Sequence, residues 1–102
     1  MKNKRACSRV FLPGKVVLMD DKHLLINSRT VDFSIDGISL TGISQMLEGR
    51  DYQLQLVTDN GGQSTCFGAR LIHQDDCRAG FHITTVDCVS LKRMFQIYYQ
   101  YA

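Results

Sequence analysis

Apolar and polar residues alternate through much of this chain. Tyr52, Leu54 and Leu56 are interleaved with Gln53, Gln55 and Val57, the period of two that a half-buried β-strand requires, because successive side chains point to opposite faces. Lys15–Asp20, His23–Asp32, Gly37–Thr41, Thr65–Gln74 and Ala79–Val86 read as further strands. Turn-forming groups separate them: Asp21-Lys22, Asn60-Gly61-Gly62 and Asp75-Asp76-Cys77-Arg78. Gly42–Gly49 reads as a connection with room for a helical turn at Ser44–Leu47. Only the last segment changes period. Leu91, Met94, Phe95, Tyr98 and Ala102 fall at i, i+3, i+4, i+7 and i+11, one apolar stripe of a terminal helix, with Asp87 or Ser90 able to cap its start. Six short strands and one helix predict a mainly β, antiparallel barrel or sandwich, since closure removes exposed strand edges.

The first thirteen residues differ from the rest. They are polar and basic before Val10-Phe11-Leu12-Pro13-Gly14, and they predict a flexible N-terminal arm over 1–13 joined to a β-rich body over 14–102. A total of 102 residues, 44% hydrophobic and 22% charged, suits one ordinary globular domain and excludes wholesale disorder. The net charge of +2 is too small to attract nucleic acid or membrane by itself, so an anionic partner needs a local cluster. The longest apolar run, Val16-Val17-Leu18-Met19, falls far short of the roughly 20 residues that cross a bilayer, and a cytoplasmic protein is expected. Cys7, Cys66, Cys77 and Cys88 form no CxxC pair and read as free thiols.

The chain carries no Gly-rich phosphate loop, HExxH or GxSxG motif, which argues against an enzyme. Asp20-Asp21 and Asp75-Asp76 sit in turns, where Asp is favoured for its backbone hydrogen bonds. His73 and His82 are expected to face each other across a hairpin with Cys77 at its tip; their spacing is poor for a four-ligand zinc site, and no metal is expected.

Two segments have more specific chemistry. Arg5 and Arg9 stand four apart on the arm, with Lys2 and Lys4 just ahead. Asp32-Phe33-Ser34-Ile35-Asp36-Gly37 stands at the junction of two strands. Taken singly, these are solvated surface charge and a polar turn. Together they can do more. Each guanidinium fork can donate to guanine O6 and N7, stack on the ring, or clamp a phosphate. Asp32 can accept from guanine N1–H and N2–H₂, Ser34 can donate to a phosphate, and Gly37 lets a planar ligand approach the backbone.

These segments resemble the PilZ domain family of cyclic di-GMP receptors, whose signature is RxxxR on an N-terminal arm followed by [DN]xSxxG. Arg5–Arg9 and Asp32–Gly37 match every fixed position. Gly68-Ala69-Arg70-Leu71-Ile72, Gly80-Phe81-His82-Ile83 and Leu91–Tyr98 look like the family's last two strands and closing helix. The resemblance implies a six-stranded antiparallel β-barrel with a C-terminal α-helix. It implies a non-catalytic receptor in which Arg5, Arg9, Asp32, Ser34 and Gly37 hold cyclic di-GMP, and which signals to a protein effector when ligand orders the arm. His73 stands where some members place an aromatic bordering the nucleotide. Lys4 stands where some carry a second arginine, and this extra cation leads to an expectation of two ligand molecules per chain. A PilZ-like adaptor that binds no nucleotide is one rival. The other is a small-barrel RNA or single-stranded DNA binder, which the absence of Trp and the concentration of basic residues in the arm argue against.

Overall fold

The computed structural model describes residues 9–59 and 64–101. It contains seven strands and one helix: β1 (Val10–Phe11), β2 (Gly14–Met19), β3 (Leu25–Phe33), β4 (Gly37–Thr41), β5 (Asp51–Thr58), β6 (Ser64–Gln74), β7 (Ala79–Thr85) and α1 (Cys88–Tyr101). Every pairing is antiparallel. The ladder runs β3-β2-β5-β6-β7-β4, and β4 pairs back onto β3. Six strands therefore close into the barrel that the resemblance implied. β1 is a two-residue addition along the same edge of β3 that β2 occupies.

β1 and β2 are one wall strand interrupted by a bulge. Phe11 faces Asp32 and Lys15 faces Arg29, so the first strand carries one residue more than β3 across this stretch. Pro13 lies in the gap, where its missing N–H removes a rung of the ladder. The Thr30 hydroxyl donates to the Leu12 carbonyl, and the Asp59 N–H donates to the Pro13 carbonyl at 3.1 Å. Val10 and Leu12 are buried in the core. Residues 10–12, assigned to the arm by their sequence, thus belong to the barrel wall, because their alternation places two apolar side chains inward. Residues 1–8, including Arg5, Lys4 and Cys7, lie outside the described residues.

The inward side chains of each strand meet in one core: Val16 and Leu18, Phe33, Ile38 and Leu40, Leu54 and Leu56, Phe67, and Phe81 are all buried. Helix α1 packs on β6 and β1. Its buried side chains are Met94, Ile97 and Tyr98, whereas Phe95 is exposed and stacks parallel to Tyr99. The stripe read from the sequence is therefore rotated: Ile97 replaces Phe95, since 94, 97, 98 and 101 trace the face turned to the barrel. Asp87 caps the helix by accepting the Ser90 N–H at 2.7 Å. Gly42–Gly49 contains no helical turn. Its backbone is tied instead to β6, with the Leu47 N–H donating to Gln74 Oε1 and Gln74 Nε2 donating to the Gln45 carbonyl.

Candidate functional site

The β3–β4 turn is built by Ser34. Its backbone N–H donates to the Gly37 carbonyl at 2.9 Å, and its hydroxyl donates to the Asp36 carboxylate. Ser34 is fully buried, so it shapes the turn from beneath, whereas the sequence suggested a surface donor. The Asp36 carbonyl accepts the Ile83 N–H at 3.0 Å, tying the turn to β7. Gly37 pairs with His82 on that strand.

Arg9 precedes β1 and reaches across to this turn. Its Nη1 donates to Asp32 Oδ1 at 2.7 Å, with the side chains only 24% and 27% exposed. A charge-assisted bond so placed is less screened than a surface pair. The guanidinium lies over Gly37: a Cβ there would stand 2.9 Å from Arg9 Nη2, 3.1 Å from the Phe81 carbonyl and 3.7 Å from Arg9 Cζ. Glycine at 37 is thus explained by close approach. The Arg9 Nε is buried and makes no hydrogen bond within the described structure.

Beside the guanidinium opens a cleft of about 220 Å³ bordered by Arg9, Asp36, Gly37, Ile72, His73 and His82. A larger cleft, about 480 Å³, lies elsewhere on the barrel between Asp51, Arg70 and Thr85 and contains none of the motif residues. The fold therefore brings Arg9, Asp32 and Gly37 together from segments 23 residues apart, with Ser34 under them and His73 on the rim. Asp36 was missed as a site residue; its only signal was adjacency to Gly37. His73 and His82 do not face each other. The register pairs His73 with Gly80 and His82 with Arg70. His73 Nε2 contacts Asp75 Oδ2 at 3.2 Å. The Asp75 carboxyl is held below the usual carboxylate range, first by the Cys77 N–H, then by the Arg78 N–H and by His73.

The sequence model of the PilZ domain matches residues 3–100. The chain belongs to the PilZ domain family. No curated protein matches it. Among solved structures, the PilZ domain of CeSA from a cellulose-synthesizing bacterium superposes with a TM-score of 0.70 at 17% identity, over 92% of this chain and 97% of that one. The PilZ domain of YcgR from Escherichia coli, solved with c-di-GMP, superposes with a TM-score of 0.76 at 16% identity, over 97% and 92%. The Bacillus subtilis inhibitor of motility, MotI/DgrA, gives 0.77 at 10% identity, over 97% of this chain and 51% of that one. At these identities the likeness concerns the PilZ fold. No helix among the described residues is long and apolar enough to cross a membrane.

Proposed function

We propose that this PilZ domain is a cytoplasmic, non-catalytic receptor for cyclic di-GMP that passes the signal to a protein partner. The observation that carries the reading is the Arg9–Asp32 bond laid over Gly37, which joins the second arginine of one motif to the other motif beside an open cleft. A YcgR PilZ domain solved with this nucleotide lends support.

The chemistry assigns a part to each group. Arg9 has N–H groups beyond the one given to Asp32, and they donate to a guanine edge or a phosphate. Asp32 accepts from the guanine N1–H and N2–H₂ edge. Gly37 leaves room for the Arg9 guanidinium to lie against the backbone, and Ser34 fixes the turn that presents it. Arg5 supplies the second guanidinium from the arm. Binding draws the arm onto the barrel and creates the surface that an effector reads.

Titration calorimetry with cyclic di-GMP, with GTP as control, tests the reading. Saturable heat with cyclic di-GMP alone is expected; equal heat with both overturns the specificity for cyclic di-GMP, and no heat with either overturns the reading and leaves the nucleotide-free adaptor. Hydrogen exchange tests the arm: protection around Arg5–Val10 is expected to rise with ligand, and protection unchanged by ligand refutes the relay.

A further inference from the structure

Phe11 is 71% exposed, although its neighbours Val10 and Leu12 are buried. It faces Asp32 across the β1–β3 ladder, and residues paired in register present their side chains on the same face. Arg9, two residues earlier on an extended chain, shares that face. The ring therefore stands beside the guanidinium–carboxylate pair and is largely uncovered among the described residues.

The ladders extend this position into a row. Phe11 pairs with Asp32, Asp32 with Ser39, Ser39 with Gly80, and Gly80 with His73. The row is tall at its ends and low in the middle. Ser39 is small, and a Cβ at Gly80 would meet no heavy atom within 4 Å. Four strand spacings of about 4.8 Å put the two rings about 19 Å apart along the curved surface. That span exceeds one planar ring and accommodates a ligand that carries two. The far ring, His73, is steadied by Asp75.

We infer that Phe11 is a stacking wall of the ligand site, on which one purine of a cyclic purine dinucleotide lies while Arg9 and Asp32 address its polar edges. The inference rests on the proposed function and adds a residue that neither motif contains. An exposed phenylalanine offers an apolar face of the kind on which bases stack, and stacking of a base on an aromatic side chain changes affinity about five- to hundredfold.

The chain contains no Trp, so Phe11→Trp introduces a single indole where contact is inferred, and Phe11→Leu keeps apolar bulk without a π face. Native protein, Phe11→Trp and Phe11→Leu are titrated with cyclic di-GMP after thermal melts establish that all three fold alike. Native-like affinity and ligand-dependent quenching are expected for Phe11→Trp, with at least fivefold weaker binding for Phe11→Leu. Native protein that binds while Phe11→Leu matches it within twofold overturns the stacking wall and leaves the receptor reading intact. Native protein that does not bind overturns both.

Discussion

Gly37→Ala is the most informative single change at the site. The added Cβ would stand 2.9 Å from Arg9 Nη2 and 3.1 Å from the Phe81 carbonyl. The carbonyl belongs to a paired strand and yields by only a few tenths of an ångström; the guanidinium ends a flexible side chain and moves. Two stability effects then oppose each other. Loosening the Arg9–Asp32 bond, roughly a quarter exposed, costs about 1 kcal/mol. Replacing Gly by Ala narrows the unfolded ensemble and returns about 0.4–1 kcal/mol. The net change in urea denaturation is expected to stay within about 1 kcal/mol. Ligand binding has no such offset: a charge-assisted contact is worth about 1.5–3 kcal/mol, and 1.4 kcal/mol is tenfold. Calorimetry should therefore show cyclic di-GMP affinity reduced about tenfold or more. A double-mutant cycle with Arg9→Ala isolates the cause. Arg9→Ala alone is expected to weaken binding at least tenfold, and adding Gly37→Ala should then cost less than about twofold. Fully additive losses would refute the claim that Gly37 acts by seating Arg9.

Leu12→Ala removes a fully buried side chain from the segment that the sequence assigned to the arm; it is expected to cost about 2–5 kcal/mol in urea denaturation, and a change under about 0.5 kcal/mol would place residue 12 outside the core. The Asp87 carboxyl is held below its ordinary value chiefly by the Ser90 N–H, and the Ser90 hydroxyl adds to this. Its contribution is therefore complete above the unfolded carboxylate pKa of about 3.9 and is lost as pH falls through the lower folded value. Asp87→Ala should lower the melting temperature at pH 7, and the gap from native should shrink toward pH 2. A gap independent of pH would show that the capping charge is unimportant. Two ligands per chain are expected at saturation, with Lys4→Leu moving the ratio toward one; native saturation at one would show that Lys4 is only a solvated charge.

Much of the barrel was legible because strands such as β2 and β5 alternate inward and outward residues. Gly37–Thr41 emerges with the bounds that the pattern indicates, and the other strands that were read, β2, β3, β5, β6 and β7, differ by one or two residues at an end. What escaped was tertiary. Val10 and Leu12 look like part of a tail because Pro13-Gly14 follows, yet a bulge lets the wall continue past the proline. Phe95 and Ile97 are equally apolar, and only the helix's seat on β6 and β1 decides which is covered. Gln45 to Leu47 fail to coil because Gln74, distant in sequence, satisfies their backbone groups. At the candidate site, motif spacing singled out Arg9, Asp32 and Gly37, which the fold brings together. The burial of Ser34 and the nearness of Asp36 depend on how the turn folds under itself, which spacing does not encode.

The ring closes where β4 meets β7, and Gly37 is paired with His82 at that seam. Its two sides are 45 residues apart in the chain, one of the longest separations that a barrel of this size must bridge, and loop-closure entropy opposes so remote a contact until it is made. During synthesis residues 9–37 leave the ribosome before β7, and the cleft lacks one of its banks until residue 82 has followed. Chains that stop short of β7 thus carry Arg9, Asp32 and Gly37 without the cleft they border, so under the proposed function occupancy by nucleotide would report a finished barrel.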